Sequence, residues 1–501
     1  MKTIAGFITA CSIACSALAP QASHADTLTI ALDYDPADLY GTLSTNNPMF
    51  AMLESLYLDD PRTGQVEPYL ALSHEMASPT EVMVTLREGV TFSNGEPMDA
   101  EAVVHSVTVF SNPEIVPAYG IYAPMIDSAE VIDDTTVKIV LSEPNPIVDL
   151  LLAQIIVVPP DYWEEVGGTE GFGQAPVGTG PFVLTDWVKD DRIVMDTNPD
   201  YWGDLPENID EVVWRTVPEA SSRAAGLRTG EYDLAMNLPA IDVDAINAED
   251  GLTVYEGDVA RIFSLVLSSL DIHETPVQDR LVRQAINYAI DKQTIIDALY
   301  FGKARLLNGQ VVLPGQPGYD PEMTDYPFDP EKARELLAEA GYPDGIDVEF
   351  KCASNRYAQG LETCEAIAAM LGDVGINASL TLLESGEFIG QYVRRELAPI
   401  GLIGLGVPND PSFGIGVYRS DWRYSYYQNP EMDALIDASR SETDPEARAE
   451  IIRQASQLLF DDAVIAYLFG AQSFFGHSDD LEGFATNVAQ RFFVHTLSLA
   501  E

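Results

Sequence analysis

Val82-Met83-Val84-Thr85-Leu86-Arg87-Glu88-Gly89-Val90-Thr91-Phe92-Ser93-Asn94-Gly95-Glu96-Pro97 is the stretch from which the fold is first read. Val82 to Leu86 has the residue types of a strand, and Arg87-Glu88-Gly89-Val90 ends it in a turn. Working outward, Thr27 to Leu32 predicts a first strand and Thr136 to Leu141 another, rich in β-branched residues. Between Asp279 and Tyr300 the apolar positions Leu281, Val282, Ala285, Ile286, Ala289 and Ile290 repeat at helical spacing. Asp329-Pro330-Glu331 predicts a helix start: a capping carboxylate, a proline suited to the first turn, then an acid favoured by the helix dipole. Leu336, Leu337 and Ala340 give that helix an apolar face, and Gly341 stops it. Ile346 to Lys351 follows as a strand, and Leu361 to Leu371 as a helix with Ile367, Met370 and Leu371 on one side. No repeat of the solenoid kind and no low-complexity segment interrupts the pattern, so the class is mixed α/β.

Seven segments, in order along the chain, carry a resemblance. Leu58-Asp59-Asp60-Pro61-Arg62-Thr63-Gly64-Gln65-Val66-Glu67-Pro68-Tyr69-Leu70-Ala71 is followed by Leu86 to Pro97 and by Asp99-Ala100-Glu101-Ala102-Val103. Then come Gly178-Thr179-Gly180-Pro181-Phe182, Asn198-Pro199-Asp200-Tyr201-Trp202, Gly230-Glu231-Tyr232-Asp233, and Val282-Arg283-Gln284-Ala285-Ile286-Asn287-Tyr288-Ala289-Ile290-Asp291. Together they resemble the peptide/nickel-type extracellular solute-binding proteins called family 5. Taken singly these segments read as scaffold; Gly178, Gly180 and Pro181, for example, suit a tight turn.

The resemblance implies a two-lobed periplasmic-binding-protein fold (class II-like, cluster C) with a hinge and an extra subdomain in the first lobe. It places a discontinuous lobe I at residues 26–268 plus 470–501 and lobe II at 269–469, with Ile262 to Leu267 and Val464 to Phe469 as the crossings. It implies capture of a small solute, peptide-like or other, by hinge closure and delivery to an inner-membrane ABC permease. The family's pocket loops fall here on Ser44, Thr45 and Asn46, short polar side chains suited to hydrogen bonding a ligand, and on Arg356, where dipeptide binders hold a carboxylate with a guanidinium fork. The family's W..D..DP..F pattern is represented by Gly404 to Phe413, which adds Gly404, Val407, Asn409 and Asp410 to the candidates. Two departures stand out. Gly404 replaces the aromatic residue, suggesting a different, roomier subsite, and Val407 replaces the aspartate that holds a peptide's amine. A buried ammonium needs a paired carboxylate, which Asp410 or another acid would have to supply.

The first residues speak of compartment. Lys2, the apolar run Ile4 to Leu18, and Ser23-His24-Ala25 form a secretory signal over residues 1–25, too short to span a membrane. A lipoprotein is the rival, since Ile8-Thr9-Ala10-Cys11 loosely fits a lipid-attachment box. Cleavage after Ala25 leaves 476 of the 501 residues in the periplasm, too many for one ordinary core. Cys352 and Cys364 then remain as an even pair in an oxidising compartment, for which a disulfide is the default reading.

The formal net charge is −52, from 79 acidic and 27 basic residues spread along the chain. Such a surface repels nucleic acid and anionic membranes and suits salty surroundings. With 46% hydrophobic residues the chain can still bury a core, which excludes disorder. No GxSxG elbow, HExxH or P-loop occurs, and the six histidines are scattered. The expectation is therefore a monomeric binder, not an enzyme, without cofactor or metal. An exported hydrolase, or a chaperone or receptor on the same fold, are the alternatives.

Overall fold

The computed structural model describes residues 26–40, 46–116 and 120–500. The signal segment, with Cys11 and Cys15, lies outside the described residues, as do Ser44 and Thr45.

An eleven-stranded mixed sheet organises the molecule. From one edge it runs Ile376–Leu383, Ile346–Ala353, Ile400–Gly406, Leu252–Leu267, Ile465–Ser478, Leu234–Ala235, Thr27–Leu32, Glu211–Thr216, Arg192–Thr197 and Phe182–Val188. The eleventh strand, Ala304–Arg305, pairs with Ile465–Ser478. Ile346–Ala353 lies parallel to Ile376–Leu383, with helix Gly360–Asp373 as the crossover that parallel pairing requires. At the other end Thr27–Leu32 is parallel to Glu211–Thr216 and Leu234–Ala235. A separate antiparallel sheet, Ala71–Ser78, Glu81–Leu86, Thr136–Leu141 and Ile126–Asp133, packs with helix Ala100–Phe110 against the first core.

Two large cores result. One gathers Leu28, Ile30, Trp214 and Phe475; the other gathers Leu265, Ile286, Phe350, Ile367, Leu402 and Leu468. Among the described residues, only the two long central strands, Leu252–Leu267 and Ile465–Ser478, serve both ends of the sheet. The first carries Val254 into a small cluster beside the first core and Leu265 and Leu267 into the second. The second strand carries Phe475 into the first core and Leu468 into the second. The fold is two-lobed. Register shifts between Glu256 and Val259, Val259 and Arg261, and Phe263 and Ser264 bend these strands where they pass between the cores. Both strands are longer than their β-branched runs predict, because these irregularities interrupt the pattern without ending the pairing.

The helical stretch between Asp279 and Tyr300 is two helices, Arg280–Ala289 and Lys292–Leu299, since the Asp291 carboxylate accepts from the Thr294 amide at 3.0 Å and starts a new one. Asp329 caps the helix Pro330–Glu339 through the Lys332 amide at 2.9 Å.

The scaffold segments clasp one another around a residue that carried no signal in the sequence, Glu54. Its carboxylate accepts from the Thr179 hydroxyl at 2.7 Å, the Tyr201 hydroxyl at 2.9 Å and the Trp202 indole at 2.8 Å, while Arg87 covers the Trp202 ring. Burial drives the Glu54 carboxyl above its ordinary range, opposed by these donors. Gly178 and Gly180 permit the approach: a Cβ at either would stand 2.1 or 2.6 Å from the Met52 carbonyl oxygen.

Candidate functional site

In open α/β sheets ligands collect beyond the carboxyl ends of the parallel strands. Here Asp33 follows Thr27–Leu32, Asn355 and Arg356 follow Ile346–Ala353, and Ser385 follows Ile376–Leu383; all four line one cavity of about 760 Å³. Its floor is the pair of central strands, which contribute Arg261, Phe263, Gln472 and Phe474. Because side chains alternate along a strand, Ile262 and Ser264 line a second cavity, of about 460 Å³. That one is mainly apolar, walled by Val311, Leu405, Phe413, Tyr418 and Tyr467, with Arg440 and Glu143 as its charged groups. Trp422 also lines it, with a buried indole nitrogen that has no partner among the described residues.

Arg356 lines the larger cavity. Its Nε donates to the Tyr357 hydroxyl at 3.2 Å and a terminal nitrogen to the Ser385 hydroxyl at 3.2 Å. It makes no ion pair among the described residues. The Sγ atoms of Cys352 and Cys364 are bonded, with Cα atoms 6.6 Å apart, so the loop bearing Arg356 is tied to the helix that follows it.

Gly404 abuts the same chamber. Its amide donates to the Tyr357 hydroxyl at 3.1 Å and its carbonyl accepts from Arg261 at 3.0 Å. The room left by the missing aromatic side chain is not empty. A Cβ at Gly404 would lie 2.9 Å from Arg261 Cδ, 3.1 Å from Tyr357 Cε1 and 3.2 Å from Phe263 Cε1. Arg261 occupies that space. Its guanidinium also lies 5.8 Å from the Tyr357 ring centre, and burial pushes it below the usual arginine range. Nothing in the sequence pattern singled it out, since one arginine within a strand is an ordinary surface residue.

The remaining candidates fall elsewhere. Asn46, just before helix Asn47–Met52, is buried and its side-chain amide donates to the Asp38 carbonyl at 3.0 Å. Val407 packs in an apolar cluster with Val259, Ile262, Leu313, Ile465 and Tyr467. Asn409 and Asp410 border a third cavity, of about 560 Å³, where Asn409 reaches the Asp59 carboxylate at 3.5 Å. The Asp410 carboxylate, the expected substitute for the missing acid, is already engaged. Both its oxygens are held by Arg448, at 2.9 and 2.6 Å, and one of them also caps helix Pro411–Gly416 through the Ser412 amide at 2.9 Å. Among the described residues no group of three or more His, Cys, Asp or Glu is arranged to hold a metal, and no helix is long and apolar enough to cross a membrane.

Residues 65–425 match the family model described as bacterial extracellular solute-binding proteins, family 5 Middle. The glutathione-binding protein GsiB of Salmonella paratyphi A is 28% identical over 420 residues, covering 80% of each chain. Its Escherichia coli K12 counterpart is 27% identical over the same length and coverage. HbpA2 from Haemophilus parasuis has the same fold, with a TM-score of 0.83 at 24% identity over 95% of this chain and 100% of that one. CtaP from Listeria monocytogenes, an ABC transporter substrate-binding protein, superposes with a TM-score of 0.85 at 22% identity over 95% and 99%.

Proposed function

Because the chain belongs to the bacterial extracellular solute-binding proteins of family 5, whose members bind solutes rather than transform them, it serves as the substrate-binding protein of an ABC importer, and we propose that its solute carries a carboxylate held by Arg356. One observation carries this reading. In a chain with 79 acidic residues, Arg356 stands at the end of a parallel strand, in the larger cavity, hydrogen bonded to hydroxyl groups alone. A guanidinium fork left with spare donors suits a carboxylate. Lobe I comprises residues 26–268 with 470–501 and lobe II residues 269–469, the crossings lying in the two central strands. The protein works as a monomer in the periplasm after removal of residues 1–25, and hands its solute to the permease.

Val407 sets no carboxylate against a ligand ammonium, and the one acid lining the cavity is Asp33, whose buried Oδ1 has no hydrogen-bond partner among the described residues. The curated relatives are named for glutathione, which makes glutathione the first probe and its N-acetyl derivative the second. Calorimetry should give one site per monomer, and Arg356→Gln should cost about 1.5–3 kcal/mol, the range for a hydrogen bond to a charged group. Small-angle scattering should show the bound protein more compact. A carboxylate ligand that Arg356→Gln binds as tightly as the parent does refutes the reading.

A further inference from the structure

We propose that Arg261 is the specificity-determining residue of this cavity and that the solute carries two carboxylates, one for Arg261 and one for Arg356. The inference rests on the carboxylate reading above and goes beyond it in the number of acid groups and the residue that counts them.

The argument starts from the register of two strands. Phe263 pairs with Gly404 and Arg261 with Gly406, so the Arg261 side chain leans over the Gly404 backbone. An aromatic residue at position 404 and Arg261 in this position exclude each other, since even a Cβ there would stand 2.9 Å from Arg261 Cδ. With glycine at 404, the space beside that backbone is filled by a cation.

Charge accounting shows that this cation is surplus. The cavity holds four basic side chains, Arg223, Arg261, Lys303 and Arg356, and one acid, Asp33. Lys303 is neutralised by Asp244 at 3.0 Å and Glu256 at 2.9 Å. The Arg223 guanidinium donates to the carbonyls of Met236, Val217, Pro218 and Asn237, and Asp33, which accepts from Asn237 at 3.0 Å, and Glu219 are its charged neighbours. Arg261 and Arg356 are left. Neither forms an ion pair among the described residues, and their guanidinium carbons lie 5.8 and 5.5 Å from the centre of the same Tyr357 ring. Both side chains are open to solvent at the cavity, and two like charges gathered on one ring there favour incoming negative charge. Five N–H donors are available on each guanidinium, and Arg261 spends one on the Gly404 carbonyl. A single carboxylate satisfies one fork, and two forks ask for two.

The test uses the α,ω-dicarboxylates from succinate to suberate, the monomethyl ester of each, and inorganic phosphate, titrated calorimetrically into the parent protein, Arg261→Gln, Arg261→Lys and Arg356→Gln. The expected result is that at least one dicarboxylate binds the parent about tenfold or more tightly than its monoester, the ratio set by one charged hydrogen-bonding group. Arg261→Gln should erase that ratio while still binding the monoester, and Arg261→Lys, which keeps the charge, should retain most of it. Arg356→Gln should weaken diacid and monoester alike. Equal binding of diacid and monoester, an unchanged ratio in Arg261→Gln, phosphate binding more tightly than every diacid, or no binding across the series each overturns the proposal. If Arg356→Gln alone matters, the carboxylate reading stands and this inference falls; if neither arginine matters, both fall.

Discussion

Removing both members of the Asp410–Arg448 pair should destabilise the protein by much less than the sum of the two single removals. Both side chains are buried, at 7% and 6% exposure, and the pair is bidentate. In Asp410→Ala the guanidinium keeps its Nε bond to the Ser439 carbonyl at 2.8 Å but loses its counter-charge inside the protein, which costs about 3–5 kcal/mol. The helix Pro411–Gly416 also loses its cap, worth about 1 kcal/mol. Arg448→Met strands the carboxylate instead and should cost about 3–5 kcal/mol. In the double variant no charge is left unpaired, so its loss should fall well short of the sum and the coupling should exceed about 1.5 kcal/mol. Denaturant titration of the parent, both single variants and the double variant, followed by fluorescence and by circular dichroism so that separate unfolding of the lobes is detected, measures the cycle. Ligand affinity of the folded variants is the second readout and should stay near that of the parent, because Asp410 is spent on Arg448. Additive single effects, or a loss of binding without a loss of stability, would refute the reasoning.

Burial holds His495 down at about 4, below its usual 6.5, so the native state binds fewer protons than the unfolded chain between those values. Its contribution is present above pH 6.5 and lost as the pH falls toward 4, at up to about 1.4 kcal/mol per pH unit; in His495→Gln the denaturation midpoint should lose that part of its acid slope. Cys352→Ala/Cys364→Ala opens a loop whose closure is worth about 3 kcal/mol in the chain-entropy model, and should lower the denaturation midpoint and weaken anionic ligands bound at Arg356; an unchanged midpoint would remove the first claim and unchanged affinity the second. Gly404→Ala should displace Arg261 and reduce diacid affinity while leaving monoester binding closer to that of the parent, as read by the same calorimetry.

Reading the residues in order was enough for the class, the family resemblance and most of the scaffold. Capping carboxylates such as Asp329, turn glycines such as Gly178 and Gly180, and β-branched strands act over a few residues, so their meaning is written locally. Arg356 was legible as a candidate only through the family resemblance, which sets an arginine between that strand and the next helix; its place at the larger cavity follows from parallel pairing. What only the tertiary structure decided was partnership. Glu54 became the hub of two distant segments, and Asp410 was taken by Arg448, 38 positions away. Arg261 filled the space that Gly404 leaves because strand register set Phe263 opposite Gly404 across more than 140 positions of chain. Local propensity is summed along the chain, whereas the charge left over in a cavity depends on which distant groups have already neutralised each other, and no local pattern states that.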